Sequence, residues 1–211
     1  MYEADTIAKL LARGGRDSPA LAAPGRSALS YPALRALIER TTRSIRALGI
    51  GPGDRVAIVL PNGPEMASAF LAVGSIATAA PLNPGYRLGE FDFYLSDLNA
   101  KALLILAGME SPAREVAETR GIPIVELDVD PAKPAGEFSL RPVGPAPPRA
   151  ADGEPSEPED IALVLHTSGT TSRPKMVPLS HRNVTASAIN VSRTLRLTRE
   201  DVCLKDRKSV V

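Results

Sequence analysis

The stretch that decides the fold reads Ile161-Ala162-Leu163-Val164-Leu165-His166-Thr167-Ser168-Gly169-Thr170-Thr171-Ser172-Arg173-Pro174-Lys175. Its first five residues are apolar and predict a buried strand, and the hydroxyl-rich segment after them predicts a loop. Backbone N–H groups and Ser/Thr hydroxyls can donate to phosphate oxygens, Gly169 lets the backbone come close to a ligand, and Lys175 adds a positive charge. The stretch therefore predicts a loop that binds a triphosphate at the end of a strand.

This loop differs from the GxxxxGK[ST] loop of the common nucleotide triphosphatases, because Pro174 stands where that motif has the glycine before its lysine. The residues after Lys175 include Val177, Pro178 and Leu179, so we expect the loop to join two strands and not to lead into a helix. The alternative is an ordinary Ser/Thr/Gly loop that binds nothing. A short Gly-Thr-Thr-Ser string is weak support for phosphate binding, whereas the whole ten-residue string is far rarer.

The segment from Thr167 to Val177 resembles the phosphate loop of the adenylate-forming enzymes. These are the acyl-CoA synthetases, the adenylation domains of peptide synthetases and the luciferases, and their pattern is Thr-Ser-Gly-Thr-Thr-Gly-x-Pro-Lys-Gly-Val. Ser172 replaces a glycine of this pattern, and together with His166 and Arg173 it is similar to the subgroup that includes oxalate–CoA ligase. Met176 replaces the glycine after the lysine, and it would cost about 1–2 kcal/mol if that position required a positive φ.

The resemblance implies an ATP site formed by the loop. The residues that it implies for nucleotide binding are Thr167, Ser168, Gly169, Thr170, Thr171, Ser172, Arg173, Pro174 and Lys175. In the family reaction a carboxylate attacks the α-phosphorus of ATP to give an acyl-adenylate and pyrophosphate, and CoA then takes the acyl group. The resemblance thus implies ATP, Mg²⁺ and CoA as cofactors and a small carboxylic acid as substrate, with the Mg²⁺ and CoA sites outside this chain. No catalytic residue and no metal ligand is predicted within the chain.

Three functions follow from the resemblance. The leading one is the N-terminal part of an ATP-dependent acid–CoA ligase, with oxalate as the candidate acid. The others are a non-catalytic, truncated remnant that binds nucleotide or pairs with another subunit, and a peptide-synthetase adenylation domain. The family pattern ends at about Leu204, so we expect a truncated chain that is inactive alone and poorly soluble because apolar surface stays uncovered.

The composition is that of an ordinary globular protein. The 211 residues carry a formal net charge of +1, with 44% hydrophobic and 23% charged residues, which gives no general attraction to nucleic acid or to an anionic membrane. The single cysteine, Cys203, fits a reducing compartment, and the acidic start of the chain is unlike a secretory signal. We expect a cytoplasmic protein, or a peroxisomal one if a longer form carries a C-terminal signal.

The pattern of helices and strands predicts an α/β fold, with a layered parallel or mixed sheet and flanking helices like the N-terminal subdomain of the adenylate-forming fold. The predicted segments are an α/β subdomain (1–129), a Pro-rich connection outside the core (130–160), the phosphate-loop strand with its loop and following helix, as the start of a second subdomain (161–204), and an atypical tail (205–211). The unit from Lys101 to Leu127 predicts the clearest strand–helix–strand crossover.

Two histidines lie near the loop. His181 stands six residues after Lys175 and could reach a phosphate, but its place at the start of a predicted helix favours a structural role. His166 ends the predicted strand, where it would either line the pocket or pack in the core.

Overall fold

The computed structural model describes residues 4–15, 18–144, 155–167 and 174–204. Its elements, in chain order, are α1 (Ile7–Leu11), β1 (Pro19–Leu21), β2 (Leu29–Ser30), α2 (Tyr31–Ala47), β3 (Arg55–Val59), α3 (Pro64–Gly74), β4 (Thr78–Pro81), α4 (Leu88–Asp97), β5 (Ala102–Leu106), α5 (Pro112–Thr119), β6 (Ile124–Asp128), β7 (Ser139–Val143), β8 (Ile161–Thr167), β9 (Lys175–Ser180) and α6 (His181–Thr194). Strands β1 and β2 form a small antiparallel hairpin, and the other seven form one sheet in the order β7-β6-β5-β3-β4-β8-β9. The predicted α/β class with a mixed sheet is confirmed.

Helices α2 and α5 each begin where a serine side chain satisfies a backbone N–H group of the first turn. The Ser30 hydroxyl accepts a hydrogen bond from the Ala33 N–H at 3.3 Å, and Ser111 does the same for Ala113 at 3.2 Å. A proline stands in the first turn of both helices, where it removes no hydrogen bond that the helix needs. Ser30 and Ser111 are therefore the N-caps of these two helices.

The centre of the sheet consists of four parallel strands, β6-β5-β3-β4. Alternate side chains of these strands point to opposite faces, so each strand contributes to two cores. Ile58 and Leu104 pack against α2 and α3 on one face, and Ala57 and Leu103 pack against α4 and α5 on the other. The predicted strand–helix–strand unit from Lys101 to Leu127 is confirmed as β5, α5 and the parallel β6.

The prediction that the Pro-rich segment lies outside the core was wrong for its first part. Strand β7 pairs antiparallel with β6, and Ala135 and Phe138 just before it are buried. Pro142 is tolerated because β7 is an edge strand, where a missing N–H donor need not break the sheet. The sequence does not predict this strand, because the prolines interrupt the alternation of apolar and polar residues that is typical of a strand.

Gly136 fixes this segment against α3. Its φ is +86°, and a Cβ at this position would lie 2.9 Å from a Leu21 methyl and 3.1 Å from the Pro64 carbonyl oxygen. The Gly136 N–H donates to the Glu65 carboxylate at 3.0 Å, and its carbonyl accepts from the Ser68 hydroxyl at 2.7 Å. A larger residue could not make this close approach.

Strands β8 and β9 extend the sheet at its other edge. β8 is parallel to β4, with Ala79 opposite Leu163, and the Thr78 hydroxyl donates to the Ile161 carbonyl oxygen at 2.6 Å. β9 then runs antiparallel to β8, and α6 follows it directly. The segment that carries the predicted loop is thus built onto the same sheet as residues 55–128.

None of the helices in the described part of the chain combines the length and the apolar composition that crossing a bilayer requires.

Candidate functional site at the ends of β8 and β9

The predicted loop connects the adjoining ends of two antiparallel strands. Thr167 is the last residue of β8 and Lys175 the first of β9, and the two are direct partners in the ladder. The prediction that the loop joins two strands is confirmed. The residues Ser168, Gly169, Thr170, Thr171, Ser172 and Arg173 lie outside the described residues, so their predicted role in nucleotide binding stays a prediction.

Thr167 and Lys175 present their side chains on the same face of the sheet, because directly opposed residues of an antiparallel pair share a face. Both are exposed, and Pro174 beside them is half-buried. A hydroxyl donor and an ammonium group therefore stand together at the mouth of the loop, where both are open to an anionic ligand. The role of Thr167 and Lys175 in binding a nucleotide stays a prediction.

Met176 is not in a left-handed conformation. It lies in β9 opposite His166, and it packs against the apolar cluster under α4. Outside the glycines, the positive φ values of the described residues are those of Asn99 and Arg196. The strain that methionine would suffer at a position of positive φ therefore does not arise.

His166 is packed against α4. Its Nε2 lies 3.0 Å from Oδ2 of Asp97, and the edge of its ring contacts Tyr94 with 4.7 Å between ring centroids. Only 5% of the His166 side chain is exposed. Because an ionised carboxylate can only accept, Nε2 carries the proton that it donates to Asp97. Asp97 was not predicted from the sequence, since it is 69 residues away and no spacing connects it with the loop.

His181 has the structural role expected of it. It is 1% exposed, and its Nδ1 accepts the Ile7 N–H at 3.2 Å, which joins α6 to α1. Burial lowers the pKa of the imidazole, and the negative charge of Asp160 opposes this only in part. The N-cap of α6 is Ser180, whose hydroxyl accepts the Asn183 N–H at 3.3 Å. His181 is thus a buried neutral acceptor between α6 and α1.

Tyr86, which stacks on Tyr94, is protonated at neutral pH. Burial raises the pKa of Tyr86 to about 12, and Tyr94 adds to the effect. Within the described ranges, no three His, Cys, Asp or Glu side chains are grouped in a way that could hold a metal ion. The described part of the site offers the Thr167 hydroxyl as a hydrogen-bond donor and the Lys175 ammonium group as a cation. These groups suit the binding of an anion, and they supply no nucleophile.

An open groove of about 750 Å³ lies between β9 and α6. Its walls include Leu179 from β9 and Ala186, Val191 and Leu195 from α6. Val191 and Leu195 are exposed, as is Leu165 on β8. We call the groove together with Leu165 the β9–α6 face; this face is apolar and largely uncovered.

The sequence matches the model of the family described as "AMP-binding enzyme" over residues 9–205. The chain is 39% identical over 204 residues to an oxalate–CoA ligase of Arabidopsis thaliana, an alignment that covers 94% of this chain and 40% of that protein. It is 38% identical over 168 residues to the oxalate–CoA ligase of Saccharomyces cerevisiae, covering 69% of this chain and 31% of that protein. A feruloyl-CoA synthase of an Amycolatopsis species is 34% identical to this chain, and the alignment covers 31% of that protein. The chain thus spans about two fifths or less of these relatives.

Solved structures share the fold. The ATP-bound MatB of Rhodopseudomonas palustris superposes with a TM-score of 0.70 at 24% identity, over 92% of this chain and 38% of that one. A long-chain-fatty-acid–CoA ligase of Archaeoglobus fulgidus gives a TM-score of 0.72 at 22% identity, over 95% of this chain and 42% of that one. Together with the family match over nearly the whole sequence, these similarities show that the chain belongs to the AMP-binding enzyme family.

Proposed function

We propose that the loop between β8 and β9 binds the β and γ phosphates of ATP, and that the protein acts as an AMP-forming acid–CoA ligase. The observation that carries the proposal is the pairing of Thr167 with Lys175 at the mouth of the loop, in a chain that matches the AMP-binding family. Relatives named as CoA ligases for oxalate, ferulate and 3-hydroxybenzoate support the reaction class.

The described residues contribute to this reaction by electrostatics. The Lys175 ammonium neutralises phosphate charge, and the Thr167 hydroxyl donates a hydrogen bond to a phosphate oxygen. Both hold the pyrophosphate leaving group in place while the acid attacks the α-phosphorus, and such positioning needs no nucleophile on the protein. Mg²⁺, when bound, would neutralise further phosphate charge. The remaining loop donors proposed for the phosphates are Ser168, Thr170, Thr171 and Ser172, with Gly169 allowing the close approach.

The test is ATP binding by a Lys175→Ala variant, measured by isothermal titration calorimetry with Mg²⁺ and ATP. We expect at least a tenfold loss of affinity, since a hydrogen bond to a charged group contributes about 1.5–3 kcal/mol. Lys101→Ala is the matched control, because Lys101 is an exposed lysine just before β5, at the opposite end of the parallel strands. Equal affinity in the Lys175→Ala and Lys101→Ala variants would refute the proposed site.

Catalysis is tested separately by acid-dependent exchange of pyrophosphate into ATP. Oxalate is the proposed acid, because His166, Ser172 and Arg173 match the oxalate–CoA ligase subgroup and two such ligases are among the relatives. We expect exchange with oxalate to exceed exchange with ferulate or 3-hydroxybenzoate. Tight ATP binding without exchange for any of these acids would instead indicate a protein that binds nucleotide and does not catalyse.

The proposed location is the cytoplasm.

A further inference from the structure

We propose that His166 and Asp97 form a positioning pair that fixes the start of the phosphate loop. The inference rests on the proposed function, because its effect is measured on ATP binding. It concerns two side chains that do not contact the nucleotide themselves but hold the strand end from which Thr167 reaches it.

The first support is how little main-chain pairing, among the described residues, holds this end of β8 to the middle of the sheet. The ladder between β8 and β4 is formed at Ala79 and Leu163, four residues before Thr167. Beyond that point β8 pairs with β9, which is itself the last strand of the sheet. Side chains must therefore tie these two strand ends to the rest of the fold, and Met176 does so for β9 by packing against the apolar cluster under α4.

The His166 side chain supplies such a tie. It lies on the α4 side of the sheet, directly before Thr167, and donates from Nε2 to the Asp97 carboxylate at 3.0 Å. Its near-complete burial, at 5% exposure, leaves the ring little freedom. Asp97 is the last residue of α4, so the bond connects the end of a helix with the end of a strand.

Aromatic contacts fix the orientation of the ring. Tyr94, one turn before Asp97, meets the His166 ring edge to face, with an interplanar angle of 64°. Tyr86 in turn stacks on Tyr94, with 4.8 Å between centroids and 17° between planes. Such pairs are favourable beyond the area they bury. The imidazole is thus oriented by a carboxylate and by a ring that is itself stacked.

The helix that carries Asp97 and Tyr94 is a firm support. Phe91 and Leu95 are fully buried between α4 and the sheet. At the start of α4, the Glu90 carboxylate accepts the Arg87 N–H at 2.8 Å, which closes the first turn. Displacement of α4 would open this core, so the His166–Asp97 bond ties the loop to a part of the molecule that does not move easily.

The experiment compares ATP affinity in four variants of the 211-residue chain by titration calorimetry. Removing either partner, in Asp97→Ala or His166→Leu, should weaken ATP binding about fivefold, since a misplaced Thr167 loses part of a charge-assisted hydrogen bond. His166→Gln keeps an N–H donor and should stay within about twofold of the parent chain. Asp92→Ala is the control: Asp92 is on the same helix but pairs with Arg120 on the surface.

A second readout separates positioning from a general loss of stability. Amide hydrogen exchange should accelerate at residues 165–167 and 175–177 in Asp97→Ala, while the buried amide of Ile105 keeps its protection. The double variant Asp97→Ala/His166→Leu should lose no more affinity than either single variant, because both remove the same bond. Faster exchange throughout the sheet would overturn the inference, because Asp97 would then only support the fold.

The two proposals fail in different ways. If Lys175→Ala leaves ATP binding unchanged, the proposed function is refuted. If Lys175→Ala weakens binding but Asp97→Ala and His166→Leu match the Asp92→Ala control, the ATP site stands and the positioning pair is refuted.

Discussion

The centre of the sheet and its β8–β9 edge differ in how completely helices cover them. In the centre, β3 and β5 are covered on both faces, and Ala57, Leu103 and Leu104 are almost fully buried. At the edge, α4 covers one side of β8, while the β9–α6 face leaves Leu165 40% and Leu195 64% exposed. The proposed ATP site therefore lies on a part of the sheet that is covered less completely than its centre.

This difference separates the residues that hold the fold from those that would bind the ligand. Segments with few buried apolar contacts open at lower free energy than the core, and ligand-binding loops are commonly drawn from them. The groove between β9 and α6 leaves further apolar side chains of this edge exposed. Stability and binding can therefore be altered independently in this protein.

The largest expected effect is on the free energy of unfolding, when a leucine in the centre of the sheet is changed to alanine. The same change at the β8–β9 edge serves as the comparison. Leu104→Ala in the centre should lower the free energy of unfolding by about 3 kcal/mol, because it removes buried methyl groups and leaves a cavity. Leu165→Ala at the edge should change it by less than about 0.5 kcal/mol. Urea unfolding followed by circular dichroism measures both. Similar losses in the two variants would mean that the edge is packed as tightly as the centre.

An intermediate effect is expected at Glu126 on β6, which is buried and pairs with Arg114 at 2.8 Å and also with Arg141. Glu126→Gln should cost about 2 kcal/mol, less than a fully buried pair because Arg141 is exposed to solvent. Asp128→Asn is the control, since Asp128 is an exposed partner of Arg141 at 3.4 Å. Its cost should stay below about 0.5 kcal/mol. Urea unfolding of both variants measures these two losses. It thereby shows how far the stability of the β6–β7 edge depends on the ion pairs of Glu126.

A smaller effect should appear in the pH dependence of stability through His181. Because burial lowers its pKa, the folded chain binds a proton less readily than the unfolded chain does. The contribution of His181 is therefore complete above the ordinary pKa of 6.5 and is lost as the pH falls below it. Urea unfolding at pH 7.5 and 5.5 should show this decline. His181→Gln should flatten it, and an unchanged slope would contradict the buried neutral imidazole.

The smallest effect concerns Met176, which stands where the family pattern has glycine. In an extended strand a glycine costs about 0.5–1 kcal/mol of conformational entropy, and the half-buried methionine also loses its packing. Met176→Gly should therefore lower the thermal midpoint by a few degrees, roughly 1 kcal/mol. A more stable variant would show that the backbone at this position needs the freedom of glycine after all.

The sequence was sufficient for the elements with strong local signals. The unit from Lys101 to Leu127 could be predicted because two apolar runs, now β5 and β6, flank the helix α5 that Ser111 caps. Strand β7 was missed because Pro142 breaks its pattern, and its pairing with β6 is set by the tertiary fold. In the site, Thr167 and Lys175 could be predicted because they are close in sequence. Asp97 could not, since only the packing of α4 on β8 brings it to His166.

Both outer strands of the large sheet carry a proline in their ladders, Pro142 in β7 and Pro178 in β9. A strand from another molecule that tried to add at either border would find a missing donor and an interrupted run of amides. Growth of the sheet into fibres is thereby discouraged at its two open sides. Association of this protein should consequently proceed through side chains, such as those between β9 and α6, and not through main-chain pairing.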